Sequence, residues 1–359
     1  MATVLAAMSG GVDSSVTAAL MKEAGHDVIG ATMSVFSGNA STKGSVHGCY
    51  GPEEQDDITD ARKVADAIGI PFHVLDLRDK YRREVLDYTC NEYFSGRTPN
   101  PCVRCNRTVK FDAFVSEARN AGIEFDYLAM GHYVRVEHDE PSGRYLLKKA
   151  RDKNKDQTYF LHLLSQQQLG ICIFPLGDYT KEEVRKKAND LGLDVADKAE
   201  SQNFISGGYS LLFDQQPEEG PILDKEGNVL GRHKGIPFYT IGQRRRLGIV
   251  AETPLYVTGI DSEKNAVYVG PKDELLSDEL TATNLNWIAV DRLFGPIQVK
   301  AKIRYRHTPA DALLTPEVGS RVRVKFEKPQ MSITPGQSVV FYIGDTVLGG
   351  GTIERRASV

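Results

Sequence analysis

The chain has 359 residues, and at about 150 residues per domain that length predicts two to three domains. Its 41% hydrophobic content supplies real cores, and 26% charged residues is ordinary for a globular chain, which excludes wholesale disorder. Forty-four Lys plus Arg against 48 Asp plus Glu leave a net charge of −4, which excludes a histone-like polycation, so any nucleic acid must be met through local basic patches.

Thr3 to Met8 is an apolar run that predicts a buried strand, and Asp13–Ala24 a helix closed by Gly25 in a left-handed cap. Val28–Phe36 and Phe72–Leu77 read as strands around a helix at Asp56–Ile68. Helical periods follow at Lys80–Tyr93 and Lys110–Ala121, then a strand at Tyr127–Met130 and a helix at Thr180–Leu191. Strands alternating with helices of this length predict a doubly wound α/β domain with a parallel sheet over residues 1–205. Residues 206–278 are rich in turn pairs such as Gly207-Gly208 and Glu226-Gly227-Asn228, which predicts a small mixed module. From 279 to 359, period-two alternation at Gln298–Arg306, Arg321–Phe326 and Ser338–Tyr342 predicts an antiparallel β-barrel.

No apolar run approaches the ~20 residues that span a bilayer. The start, Met1-Ala2-Thr3-Val4-Leu5, has neither a basic leader nor a cleavage site, so a cytoplasmic protein is expected, without a membrane partner. Five cysteines, an odd number in a chain of this size, predict reduced thiols rather than a disulfide framework. Cys90 and Cys172 fall in helical and apolar patterns and read as core.

Directly after the first strand comes Ser9-Gly10-Gly11-Val12-Asp13-Ser14-Ser15, opening a helix. A strand, a glycine loop and a helix N-terminus aim several backbone N–H groups and the helix dipole at one spot, a site for phosphate. The glycines allow torsions and close approach that a Cβ would block, while Asp13 can cap the helix or hold Mg²⁺. The loop lacks the Lys of a Walker A sequence and the spacing of a dinucleotide fingerprint. It resembles the pyrophosphate loop of the ATP pyrophosphatase superfamily, whose members cleave ATP between the α- and β-phosphates to adenylate an oxygen.

Thr98-Pro99-Asn100-Pro101-Cys102-Val103-Arg104-Cys105-Asn106 lies between two predicted helices, and its prolines predict that both thiols sit on a non-helical loop. Arg104 and the next helix start are expected to lower a thiol pKa there. A single C-x-x-C leaves zinc, dithiol redox chemistry and cluster ligation all open.

With these two strings, the sequence is similar to the tRNA-specific 2-thiouridylase family over essentially its whole length. Further matching strings are Gly131-His132-Tyr133, Lys155-Asp156-Gln157-Thr158-Tyr159-Phe160-Leu161, Phe174-Pro175-Leu176-Gly177 and Glu200-Ser201-Gln202. Tyr239-Thr240-Ile241-Gly242-Gln243-Arg244-Arg245, Arg304-Tyr305-Arg306 and Thr334-Pro335-Gly336-Gln337 complete the set.

The resemblance implies an enzyme that grips a tRNA anticodon arm, adenylates the C2 oxygen of the wobble uridine with ATP and Mg²⁺, and replaces it with sulfur. The sulfur comes from a donor protein or sulfide, and DNA is not a partner. By motif, Ala7, Met8, Ser9, Gly10, Gly11, Val12, Asp13, Ser14, Met33 and Gly131 are implied to contact ATP. Asn100, Pro101 and Cys102 are implied to face the target base, and His132, Lys155, Asp156, Gln157, Arg304, Tyr305 and Gln337 to contact tRNA. Cys105 falls at the family's catalytic cysteine.

Two departures stand out: Cys102 replaces a common Asp, and the second cysteine that many members carry after Ser-Gln is missing from Ser201–Gly208. Three readings compete. Cys102 partners Cys105 in a local disulfide; or Cys49, Cys102 and Cys105 ligate a [4Fe-4S] cluster with one open iron; or sulfur arrives on an external carrier, thiolation itself being lost in the extreme case. The coincidence of an extra cysteine with a missing one favours the cluster narrowly. Arg244-Arg245-Arg246, and a row of Lys300, Lys302, Arg304 and Arg306 on one strand register, are expected to meet RNA phosphates. The rival readings are an ATP-dependent amide-forming ligase sharing only the loop, and a tRNA-binding protein without chemistry.

Overall fold

The computed structural model describes residues 1–38, 48–196, 198, 203–205, 212–213 and 216–354. Gly207-Gly208, the Glu200-Ser201-Gln202 string and most of the Ser201–Gly208 stretch therefore lie outside the described residues. The chain divides into two units, Met1–Val85 with Cys102–Gly208 and Gly344–Val347, and Leu86–Pro101 with Tyr209–Ile343 and Leu348–Val359.

The first unit contains β1 (Thr3–Ala7), α1 (Val12–Glu23), β2 (Asp27–Ser34), β3 (Gly48–Tyr50), α2 (Glu54–Ile68) and β4 (Phe72–Asp76). It continues with β5 (Tyr127–Ala129), β6 (Val134–Asp139), β7 (Arg144–Lys149), β8 (Cys172–Ile173) and β9 (Asn203–Ile205). Five strands form a parallel sheet in the order β4–β2–β1–β5–β8. The order departs from β1 in both directions, so the crevice at the carboxyl ends of β1 and β5 is the topological switch point where α/β sheets bind ligands. Val4 and Ala6 of β1, with Met8 just after it, pack with Val16 of α1, Val64 of α2 and Val184 in one core. Gly25 takes φ 82° after α1, the left-handed conformation its position predicted. Glu54, at the start of α2, accepts from the Val35 and Phe36 amides at 2.6 and 2.8 Å and so fixes the end of β2.

Two helical expectations are corrected. The stretch predicted as one helix over Lys80–Tyr93 is broken into Arg78–Tyr81, a π-helical turn Arg82–Asp87 and Tyr88–Phe94. The proline loop does not hold the thiols off a helix: Pro101–Cys105 is itself helical and runs directly into a π-helical segment, Asn106–Ala113. Pro101 stands at the first helical position, where a missing N–H costs nothing and the fixed φ favours the turn.

The second unit holds a small sheet in the order β11–β10–β13–β12, from β10 (Gly220–Leu223), β11 (Val229–His233), β12 (Tyr256–Asp261) and β13 (Ala266–Gly270). Ile222, Val257, Val267 and Val269 form its core. After it come β14 (Leu276–Trp287), β15 (Ile297–Lys302), β16 (Ala310–Glu317), β17 (Arg321–Met331), β18 (Ser338–Ile343) and β19 (Thr346–Ile353). They run β14–β17–β16–β15–β18–β19, and β19 returns to β14 through Ala282↔Ile353 and Thr283↔Thr352, closing a six-stranded antiparallel barrel. Closure leaves no barrel edge unpaired. The expected architecture, a parallel-sheet domain, a small mixed module and an antiparallel barrel, is what the chain adopts.

The alternating strand expected through Arg306 ends at Lys302. Arg304 to His307 form a turn closed by the His307 amide donating to the Arg304 carbonyl at 3.0 Å. The cationic row therefore breaks after Lys302.

Candidate active site

The loop after β1 is built as the sequence predicts, with one exception. Gly10 adopts φ 70°, and a Cβ there would stand 2.3 Å from the Asp57 carbonyl oxygen of α2. Only glycine combines that torsion with that approach. Gly11 is the N-cap of α1 and has no side-chain cap. Asp13 does not cap the helix. Its carboxylate accepts from the Tyr133 hydroxyl at 2.7 Å and from Lys181 Nζ at 2.8 and 2.9 Å. Ser14 and Ser15 hydroxyls donate to the Gly11 carbonyl, and the Ser9 amide donates to Ser14 Oγ at 3.0 Å, which stiffens the loop. Val12 is buried beneath it.

The other residues expected at the nucleotide gather at the same sheet edge. Ala7 ends β1 in register with Ala31, and Met33 lies two residues further along β2. The Met8 amide donates to the Ala31 carbonyl at 2.8 Å. Gly131 follows β5, and a Cβ on it would meet the Asp13 carbonyl carbon and the Ser14 nitrogen at 3.0 Å. A side chain at 131 would therefore push the strand end off the phosphate loop.

His132 continues from that contact toward the cysteines. Its ring lies 5.7 Å from Phe111 and 6.3 Å from Phe174. Phe111 belongs to the π-helical segment that starts directly after Cys105. Burial, reinforced by the nearby Lys110 ammonium, lowers the His132 pKa to about 3, so the imidazole is neutral. Its Nδ1 is buried with no hydrogen-bond partner among the described residues. The buried Asn106 donates to the Phe160 carbonyl at 3.2 Å while its Oδ1 is likewise unpartnered.

The expected acidic thiol is corrected. Burial pushes Cys105 up to about 12 and Cys102 up to about 11. Arg104 cannot offset this, because its Nε donates to the Glu84 carbonyl at 3.1 Å and its guanidinium pairs with the Glu84 carboxylate. The cation the thiols do feel is Lys110, which sequence reading missed. Burial works against its ammonium, and the sulfurs of Cys105, Cys49 and Cys102 outweigh that, so it holds its proton more firmly than usual. Lys110 lies five residues after Cys105. In an α-helix that spacing faces away, but the i→i+5 bonding of a π-helix returns it toward the same side.

Cys49 lies on β3 and is exposed, Cys102 is half-buried and Cys105 is buried. Among the described residues no group of three or more His, Cys, Asp or Glu side chains is gathered to hold a metal ion. The structure thus does not assemble Cys49, Cys102 and Cys105 as cluster ligands. Cys172 is buried, as expected, while Cys90 is half-buried and its Sγ donates to the Leu212 carbonyl at 3.0 Å.

Several residues expected to touch RNA hold the protein's own backbone. Asp156 accepts from the Thr158 hydroxyl at 2.8 Å and from the Ala150 amide at 3.3 Å. Gln157 accepts from the Tyr133 amide at 2.8 Å and returns its own amide to the Tyr133 carbonyl at 3.1 Å. Lys155, next to them, is half-buried. In the second unit Gln337 Nε2 donates to the Thr98 and Pro99 carbonyls at 2.9 and 3.0 Å, immediately before Asn100 and Pro101. Arg304 is exposed and donates to the Met331 carbonyl at 3.2 Å, and Lys302 stands 5.3 Å over the Tyr305 ring. Arg244 and Arg246 are exposed around a cleft of about 400 Å³ with Leu247, Thr253 and Pro254. Glu252 lines the same cleft, so its charge is mixed.

Comparison with known proteins gives three family matches along the chain. Residues 2–206 match the family described as tRNA methyl transferase HUP domain, 212–271 its PRC-barrel domain, and 277–353 an aminomethyltransferase beta-barrel domain. A tRNA-specific 2-thiouridylase MnmA of Moorella thermoacetica is 48% identical, covering 99% of this chain and 100% of that protein. Proteins of the same name from Heliobacterium modesticaldum and Acetivibrio thermocellus are each 47% identical over 98% of this chain, covering 92% and 99% of their own lengths.

Proposed function

Because this chain belongs to the tRNA-specific 2-thiouridylase family, we propose that it uses ATP to replace the C2 oxygen of the anticodon wobble uridine in tRNA with sulfur. The observation that carries the reading is a single run of contacts. The phosphate loop packs against Gly131, His132 follows it, and its ring meets Phe111 on the π-helical segment that starts directly after Cys105.

The C2 carbonyl of uridine is a poor electrophile with no leaving group. Attack of its oxygen on the α-phosphorus of ATP expels pyrophosphate and makes that oxygen part of an adenylate. Backbone amides from Gly10 to Ser14 and the start of α1 suit the departing pyrophosphate. Met33 and Gly131, at the adjacent strand ends, suit the nucleoside. Magnesium arriving with ATP needs few protein carboxylates, and Asp13 is the one the loop offers, with Lys181 as its present counter-ion.

Sulfur carried as a persulfide on Cys105 attacks C2, and AMP leaves with the bond electrons. Attack of Cys102 on Cys105 sulfur then releases 2-thiouridine and leaves a Cys102–Cys105 disulfide, to be reduced by an external thiol. Among the three sulfur routes, this local pair is favoured by the single helical turn that separates the two cysteines on Pro101–Cys105. His132, held neutral, faces the base in this reading. Lys155, Asp156 and Gln157 act on tRNA through the loop they hold, and Arg304, Tyr305 and Gln337 through the barrel unit. A sulfur-donor protein or hydrosulfide is the remaining partner, and the cytoplasm, where tRNA and ATP meet, is the compartment.

AMP release measured with an anticodon-arm RNA and with small carboxylic acids tests the reading. Stimulation by the RNA alone is expected; stimulation by an acid alone would transfer the assignment to an amide-forming ligase.

A further inference from the structure

Thiolation needs a thiol at which sulfur enters, and the chain has five cysteines to choose from: Cys49, Cys90, Cys102, Cys105 and Cys172. Sulfur exchange proceeds by attack of a thiolate on a sulfur, so the thiol that receives sulfur from a donor protein must be reachable from solvent. Cys105 and Cys172 are buried and Cys102 is half-buried, so none of the three meets a protein-sized donor directly. Cys90 is committed to the Leu212 carbonyl. Cys49 alone among the five is exposed.

Its surroundings tie it to the reactive pair. Along β3 the pattern is buried, exposed, buried. Tyr50 turns inward, stacked on Tyr81 with centroids 5.5 Å apart and edge-on to Phe36 at 5.1 Å, which leaves Cys49 on the opposite face. Pairing of Gly48 with Asn203 and Tyr50 with Ile205 fixes that orientation. Tyr81 leads into the turn whose Glu84 binds Arg104, between Cys102 and Cys105. The strand of Cys49 and the helix of the cysteine pair are thus anchored to one short segment. Cys49, Cys102 and Cys105 all act electrostatically on Tyr81 and on Lys110.

We propose that Cys49 is the entry thiol: it takes the outer sulfur of a persulfide presented by a donor protein and hands it to Cys105. The proposal rests on the thiolation reading above. In the first step the Cys49 thiolate attacks the outer sulfur of the donor persulfide. A new S–S bond forms, the donor's S–S bond breaks, and the donor leaves as a thiolate that takes up the proton Cys49 gave. In the second step Cys105 repeats the attack on the outer sulfur held by Cys49, which returns to the thiol form. One sulfur atom moves each time, with no net oxidation. The Lys110 ammonium stands by for the anionic sulfurs in both steps.

The test loads the full chain from a cysteine desulfurase charged with radiolabelled cysteine, alongside a second arm supplied with hydrosulfide. Hydrosulfide bypasses the entry thiol once the chain has been oxidised beforehand to the Cys102–Cys105 disulfide: it breaks that S–S bond, leaves the persulfide on Cys105 and releases Cys102 as the thiol. Cys49→Ser is expected to lose desulfurase-driven thiolation by about tenfold or more and to regain it with hydrosulfide. Cys105→Ser is expected to accumulate one added sulfur on the peptide that contains Cys49, released by a thiol reductant. Cys90→Ser is expected to load like the parent chain. Direct labelling of Cys105 in Cys49→Ser at the parent rate, or no added sulfur on Cys49 in Cys105→Ser, would overturn the proposal. If the parent chain thiolates tRNA with neither donor, it is the thiolation reading that fails. If it thiolates with both while sulfur bypasses Cys49, only the entry thiol falls.

Discussion

Lys181 grips Asp13 from 168 residues further along the chain, its Nζ donating to both carboxylate oxygens at 2.8 and 2.9 Å. The lysine is 8% exposed, and Tyr133 adds a third donor at 2.7 Å. The orientation of the phosphate loop's acidic residue is therefore set by two elements remote in sequence. Lys181→Met leaves a partly buried carboxylate with one donor, which should lower stability by about 1–3 kcal/mol. RNA-dependent AMP release should fall in parallel, with Asp13→Asn in the same background adding less than it does alone. Additive losses in that double-mutant cycle would show that the pair does not act as a unit.

Gly10 and Gly131 are the two positions where the loop tolerates no side chain. Gly10→Ala places a Cβ 2.3 Å from the Asp57 carbonyl oxygen at φ 70°, and should cost more than about 2 kcal/mol in urea denaturation. Gly131→Ala meets Asp13 and Ser14 backbone at 3.0 Å, a milder conflict. It should raise KM for ATP several-fold while the chain stays folded.

Acid should destabilise the first unit through two histidines. Burial holds His132 at about 3 and His162 at about 4, against an ordinary 6.5. Both are depressed, so the unfolded chain binds protons that the folded chain refuses. The stability they contribute is present above pH 6.5 and declines as pH falls toward 4, by at most about 1.4 kcal/mol per pH unit for each group. His162 is fully buried, with its Nδ1 2.8 Å from the Tyr159 carbonyl oxygen, so that nitrogen carries the proton of the neutral ring. The urea midpoint should drop between pH 6.5 and 4.5, and His162→Gln should flatten that slope. An unchanged slope in the variant would assign the acid sensitivity elsewhere.

Gln337 holds the carbonyls of Thr98 and Pro99, and Gly336 at φ 92° lies so close that a Cβ would stand 2.9 Å from the Thr98 carbonyl oxygen. Gln337→Ala frees the backbone that leads to Asn100. Anticodon-arm affinity should weaken by about 5–10-fold, with the salt dependence of binding unchanged because no phosphate contact is lost.

Much of this was legible because the signals were local. Gly25, the Ser9–Ser15 loop and the alternation in β17 each declare their structure within a few residues. The helical placement of Cys102 and Cys105 was not, since Pro101 reads equally as a loop former and as a first helical residue. Nor was Lys110 visible: five residues from Cys105 it faces away on an α-helix, and only the π-helical backbone changes that. The thiol pKa went the wrong way for a related reason. Proximity in sequence put Arg104 beside the cysteines, whereas the fold gives it to Glu84 and buries the sulfurs. Roles expected for Asp156, Gln157 and Gln337 from motif strings turned out to include backbone clamps, which no one-dimensional pattern records.

The central claim is that one chain both primes a uridine carbonyl with ATP and delivers sulfur to it. The direct measurement is mass analysis of nucleosides from unmodified tRNA incubated with the full chain, ATP, magnesium and a sulfur source. The account predicts 2-thiouridine at the wobble position, dependent on ATP and abolished by Cys105→Ser. Recovery of unaltered uridine from the parent chain, or thiolation undiminished in Cys105→Ser, would contradict it.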